Sequence, residues 1–85
     1  MFVVVLQRSH GPDVSLRIAE EAKVKETVKY FLENRGQADA RYCYRVTTGP
    51  NSPPVLNILF PADVTGLQVL NATPEMAAEI EKLAG

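Results

Sequence analysis

The sequence predicts a single small α+β domain whose strands and helices follow in the order β-β-α-β-β-β-α. Apolar and polar residues alternate over residues 14–18 and 41–46, which is typical of half-buried strands. Apolar residues recur at helical spacing between Val24 and Leu32, and Thr73-Pro74 is typical of a helix start. Eighty-five residues without a linker or a repeat fit one domain over residues 1–85. We expect a mixed sheet packed on the first helix.

The first two strands are predicted as a hairpin. Phe2–Gln7 is β-branched and almost continuously apolar, like a strand buried on both faces. Turn-forming residues fill 9–13, and alternation then holds over Val14–Ala19. A second interpretation remains open, in which Asp13 caps one helix that runs from Val14 to Asn34. We favour the hairpin because the helical spacing starts only at Val24.

The remaining elements follow from the same patterns. Val24, Val28, Phe31 and Leu32 form the apolar stripe of the first helix, and Gly36 is placed at its C′ position. Beyond it, we expect strands at 40–48, 55–60 and 67–70, separated by a proline-rich loop at 49–54 and a turn at 61–66, and a last helix from Thr73 to Ala84. At about eleven residues this helix needs a docking surface.

The pattern Val14-Ser15-Leu16-Arg17-Ile18, followed by a helix that closes at Gly36, resembles the second strand and helix of the ubiquitin-like β-grasp family. Residues 63–70 are similar to the turn and last strand of many such domains, so the resemblance covers residues 1 to about 71. Asn71-Ala72 and a further helix replace the Gly-Gly tail of conjugated members. The resemblance implies a β-grasp scaffold, with an added C-terminal helix, that is used mainly for binding other proteins.

Charge and composition argue against several classes of protein. The net charge is −1 with both signs interspersed, whereas a dedicated nucleic-acid binder carries a basic surplus on one face. No apolar run reaches the length of about 18 residues that a membrane span needs, so we expect no membrane partner. Cys43 is the single cysteine, which leaves no internal disulfide and fits a reducing, cytoplasmic setting.

The residues that support catalysis or metal binding are sparse. His10 and Cys43 are the single histidine and cysteine, and a nucleophilic pair would require them within hydrogen-bond reach. Zinc sites need three or four such ligands, and no glycine-rich phosphate loop is present. We therefore expect no enzyme, no metal site and no cofactor.

The strand Arg41-Tyr42-Cys43-Tyr44-Arg45 is the most informative local feature. If its tyrosines face the core, its arginines flank Cys43 on an outer sheet face and can pair with a partner's carboxylates or phosphates. We predict a protein-interaction module, an adaptor or regulatory subunit, whose partner-binding residues are Arg41, Cys43 and Arg45, with the surface continuing to Gln68. If the strand is reversed, exposed tyrosines would instead offer a stacking platform to single-stranded nucleic acid. A homo-oligomer that pairs through the last helix or a sheet edge is the third alternative.

Overall fold

The computed structural model describes all residues from Met1 to Gly85. Five strands and two helices follow in the predicted order, with a short 3-10 helix at Pro61–Asp63. The strands are β1 (Phe2–Arg8), β2 (Val14–Ile18), β3 (Tyr42–Val46), β4 (Val55–Leu59) and β5 (Val64–Leu70), and the helices are α1 (Glu21–Asn34) and α2 (Pro74–Ala84). The α+β class is confirmed. Neither helix is long and apolar enough to cross a membrane.

A three-stranded antiparallel sheet has β1 at its centre, between β2 and β5. Val4 lies opposite Leu16 on one side and Val69 on the other, so apolar residues of the three strands share one face. The hairpin of β1 and β2 is confirmed, and the alternative of one helix from Val14 to Asn34 is wrong. Because side chains alternate along β2, Leu16 points to the buried face of this sheet, and it is 7% exposed.

The strands β3 and β4 form a second, separate antiparallel sheet, called here the ribbon. The expected mixed sheet is therefore wrong, because every strand pair is antiparallel and the five strands divide between two sheets. Period-two alternation fixes which residues share a face, but it does not fix the direction or identity of the neighbouring strand. The order of elements fits the β-grasp resemblance, whereas the β-grasp topology is not confirmed.

The last strand is longer than expected. The turn at 61–66 shortens to the 3-10 helix, and β5 begins at Val64, where two β-branched residues favour a strand. Gly66 is tolerated inside this strand because the Gln7 side chain lies against it. A Cβ at Gly66 would meet the end of the Gln7 side chain, which would have to move aside.

The three-stranded sheet and both helices share one core, to which the ribbon adds Leu59. The buried apolar residues of this core are Val4, Leu6, Leu16, Val24, Val28, Phe31, Leu59 and Met76. Thr73 caps α2 as predicted, since its side chain accepts the backbone N–H of Met76 at 3.2 Å. Gly36 follows the end of α1 as expected, but Gly11 is the glycine with a positive φ, at 103°.

Candidate functional site

The orientation of β3 follows from a cluster of aromatic rings on the core side of the ribbon. Tyr42 lies 5.0 Å from Phe31 and 5.8 Å from Tyr30 between ring centroids, and Tyr44 packs against the same core. The Tyr30 hydroxyl also donates to the backbone carbonyl of Arg41 at 2.6 Å, which ties α1 to the start of β3. Because side chains alternate along a strand, Cys43 between the tyrosines and the arginines that flank them must point outward.

The outward side of β3, together with the residue just before it, carries three of the predicted partner-binding residues. Arg41, Cys43 and Arg45 are all exposed. Of the two orientations left open by the sequence, the structure has the one in which the tyrosines face the core. Cys43 is a free thiol between two arginines on this face.

The neighbouring strand adds an exposed apolar stripe that the sequence did not point to. Ile58 lies opposite Cys43 and Leu56 opposite Arg45 in the antiparallel register. Leu56 is 60% exposed, Ile58 52% and Phe60 45%. We call the six outward residues of this sheet and its end the ribbon face: Arg41, Cys43, Arg45, Leu56, Ile58 and Phe60.

A cation-π contact joins the two kinds of residue on the ribbon face. The Arg41 guanidinium carbon lies 5.8 Å from the centroid of the Phe60 ring, within the range of a favourable interaction. The ribbon face is thus an apolar stripe along β4 beside a cationic stripe along β3. Such a surface can bury aliphatic side chains of a partner and pair with its carboxylates.

The sequence did not predict that Leu56, Ile58 and Phe60 are exposed, because they form the more apolar alternation of residues 55–60 and the other alternation contains Asn57. Burial rules favour the set with three large apolar residues for the core, yet Leu59 of the other set is buried at 4% exposure. The pairing of β4 with β3 decides which of the two sets is buried. Once Tyr42 faces the core, its antiparallel partner Leu59 must face the core as well.

Gln68, the fourth predicted residue, is exposed but lies apart from the ribbon face. It belongs to β5, where it pairs with Val5, and β5 is at the far edge of the other sheet from β2. The structure therefore brings Arg41, Cys43 and Arg45 together and leaves Gln68 on a different sheet.

Apart from the ribbon face, a polar cluster fastens the loop between β1 and β2 to the 3-10 helix. The Ser9 hydroxyl donates to the Asp63 carboxylate, and the Ser9 backbone N–H donates to the Asp63 carbonyl at 2.9 Å. Arg8 Nε lies 3.4 Å from Asp63 Oδ2 and His10 Nδ1 lies 3.5 Å from Asp63 Oδ1. The Ser9 hydrogen bond, together with the contact to His10 and the nearby Arg8 guanidinium, lowers the pKa of Asp63 below its ordinary value.

This cluster holds serine, histidine and aspartate without the geometry of a nucleophilic relay. In such a relay the serine contacts one ring nitrogen and the carboxylate contacts the other. Here Ser9 and Asp63 both approach Nδ1 of His10, and Ser9 donates to Asp63 directly. The hydrogen bonds of His10 also go to these residues rather than to Cys43. The arrangement holds the loop between β1 and β2 against the 3-10 helix.

No group of three histidine, cysteine, aspartate or glutamate side chains is placed to hold a metal ion. The ribbon face is the feature that combines exposed apolar area with unpaired positive charge. Comparison of the chain with protein-family models, with curated proteins and with solved structures gives no match.

Proposed function

We propose that this chain is a protein-interaction module, an adaptor or regulatory subunit, that binds a protein partner through the ribbon face. The observation that carries the proposal is the line of exposed large apolar side chains at Leu56, Ile58 and Phe60. Contiguous exposed apolar patches on small proteins mark interaction sites more often than chance. The resemblance to ubiquitin-like domains points to the same class of function and stays a prediction.

The charge of the ribbon face indicates what the partner offers. Neither Arg41 nor Arg45 forms an ion pair within the chain, whereas Lys25 and Lys29 on α1 are paired with glutamates. Arg41 donates to the Asp39 backbone carbonyl at 3.3 Å, which leaves its charge without an acidic partner. Two guanidinium groups without acidic partners, beside an apolar stripe, favour a partner surface with aliphatic side chains and carboxylates. The apolar stripe sets the position, and the arginines exclude partners with basic residues there.

The energy available from the apolar stripe bounds the affinity. The three side chains are roughly half exposed, and burying the remainder of each contributes on the order of 1 kcal/mol. Association costs about 4–15 kcal/mol in lost translational and rotational freedom. The stripe alone therefore supports only weak binding, and a stable complex requires further contacts.

Two alternatives are outcomes of the test. Nucleic-acid binding through exposed tyrosines lacks its platform, because Tyr42 and Tyr44 are half-buried against the core. Self-association has support in the same apolar stripe and in the unpaired outer edge of β4. Neither alternative accounts for both the apolar stripe and the arginines that lack acidic partners. A partner surface that is acidic and partly apolar matches both.

The test is affinity capture from nuclease-treated lysate of the source cells, followed by identification of the bound protein. The variants Leu56→Ser/Ile58→Ser and Arg41→Glu alter the ribbon face, and Leu70→Ser/Leu83→Ser is the matched control on exposed apolar residues elsewhere. We expect one protein to be retained by wild type and control and lost by both ribbon variants. Retention by all variants, or capture of nucleic acid or of the chain alone, would contradict the proposal. Circular dichroism verifies that each variant is folded.

A further inference from the structure

A groove of about 480 Å³ separates the three-stranded sheet from the ribbon, between β2 and β3. Its walls are Ser15–Ile18 of β2 and, on the ribbon, Tyr42 and Tyr44–Thr47. Successive side chains of a strand point to opposite faces, so a wall of consecutive residues is the edge of a strand rather than one of its faces. The groove is bounded by two strand edges.

Both of these edges lack a strand partner. β2 pairs with β1 alone and β3 pairs with β4 alone, and no backbone hydrogen bond joins β2 to β3. Each edge therefore presents backbone N–H and C=O groups that the chain itself does not satisfy. A free strand edge is a template for pairing with another extended segment, and two edges across one groove can pair with both sides of the same segment.

The charge along the groove is one-sided. Arg17 on β2 and Arg45 on β3 line it, both are exposed, and no acidic residue is among its walls. Tyr42 and Tyr44 supply aromatic surface on the ribbon side. An occupant that carries carboxylates would form charge-assisted hydrogen bonds with the two guanidinium groups.

We propose that the groove between β2 and β3 receives an extended, acidic segment of the protein partner, which pairs with both edges and joins the two sheets into one. This inference rests on the proposed function and names what the partner contributes beyond the ribbon face. Arg45 belongs to both surfaces, so a partner that inserts this segment also reaches the ribbon face. The segment supplies the further contacts that the apolar stripe alone lacks.

The lengths of the two edges fit a strand. β2 and β3 have five residues each, so at roughly 3.3 Å per residue each edge is about 16 Å long. Each edge can therefore pair with an extended segment of five residues.

The test uses a random heptapeptide library displayed on phage and selected on the wild-type domain. We expect the selected peptides to carry Asp or Glu at alternate positions between β-branched residues. A synthetic copy of the best peptide should bind Arg17→Glu/Arg45→Glu at least tenfold more weakly than wild type. The control Arg35→Glu/Lys82→Glu makes the same change in net charge at exposed residues outside the groove walls and should bind as wild type does.

Backbone pairing is tested separately from charge. Two further copies of the peptide are methylated on the backbone nitrogens at odd or at even positions, which removes donors to one edge or to the other. Pairing with both edges predicts that each methylated copy binds at least tenfold more weakly. Hydrogen exchange should show slowed amides within 14–18 and 42–46 when the unmethylated peptide is bound.

Several results would overturn the inference. These are selection of no peptide, selection of peptides without acidic residues, binding that survives both methylation patterns, and protection at the outer edges of β4 or β5. Peptides that lose binding to Leu56→Ser/Ile58→Ser and keep it to Arg17→Glu would overturn the groove while supporting the ribbon face. Failure of the groove and failure of the proposed function are therefore distinguishable.

Discussion

Replacing Met76 with alanine tests how α2 is held on the domain. Met76 is fully buried, and it is the one residue of α2 in the buried core. The substitution removes three heavy atoms, which at about 0.8 kcal/mol each gives a transfer loss of about 2.4 kcal/mol. A residual cavity adds to this loss, and buried Met→Ala changes cost about 2–5 kcal/mol. We expect the free energy of unfolding to fall by about 3 kcal/mol.

The expected loss is large for a chain of this size. A domain of 85 residues has a free energy of unfolding of roughly 4–13 kcal/mol, and its Tm falls by about 4–8 °C per kcal/mol. With a loss of about 3 kcal/mol, the Tm of the variant should therefore lie about 12–24 °C below that of wild type. An eleven-residue helix is also marginal alone in water, so loss of its anchor should leave α2 frayed.

The assay is urea unfolding followed by circular dichroism at 222 nm, since the chain has no tryptophan. Hydrogen exchange over residues 77–84 reports separately on the docking of α2. Leu83→Ala is the control, because Leu83 lies on the same helix but is 41% exposed. If Met76→Ala and Leu83→Ala lowered stability equally, by less than about 1 kcal/mol, burial of Met76 would not be what holds α2.

Three further results are expected. Thr73→Ala removes the side-chain cap on the Met76 N–H and should lower stability by about 1 kcal/mol in urea titration, whereas Thr73→Ser should change little. Gly11→Ala places a Cβ at φ 103° and 3.3 Å from Arg8 Nη1, so its urea midpoint should fall by the equivalent of about 1 kcal/mol or more, and an unchanged midpoint would show that the loop adapts. Asp63→Asn should destabilise the chain at pH 7 because the pKa of Asp63 is lowered in the folded state. A lowered pKa contributes stability above the ordinary value of 3.8, and this stability is lost as the pH falls through the folded-state pKa. The difference in free energy of unfolding between wild type and Asp63→Asn should therefore shrink as the pH falls below 3.8. A difference that stays constant down to pH 2 would contradict the argument.

Several elements of the fold were predictable because their signals are local. The alternation of Val14, Leu16 and Ile18 identified β2, and Thr73-Pro74 identified the start of α2. The grouping of Arg41, Cys43 and Arg45 on one face of the strand was also predictable, whereas the structure decided that this face is the outward one. The start of β5 was placed three residues late, because Gly66 suggests a turn until the Gln7 side chain beside it is known.

The exposed apolar residues of the ribbon face could not be predicted from the sequence, for the same reason that the sheet topology was predicted wrongly. Both alternations of residues 55–60 contain large apolar residues, so the choice between Leu59 and Ile58 as the buried residue depends on pairing with β3. The groove between β2 and β3 likewise depends on which strands do not pair. Strand pairing joins residues that are distant along the chain, and no local pattern records it.

The sequence by itself determined the α+β class, the order of the elements and which residues of β3 share a face, since each depends on the spacing of residues within one segment. Which of the two faces of β3 is buried was decided by the tertiary structure. The tertiary structure alone decided that five strands form two antiparallel sheets, that Leu56, Ile58 and Phe60 are left outside, and that Ser9 and Asp63 meet. The physical reason is that segment patterns specify which side of an element avoids water, whereas only the packed chain specifies which edges and faces find a partner.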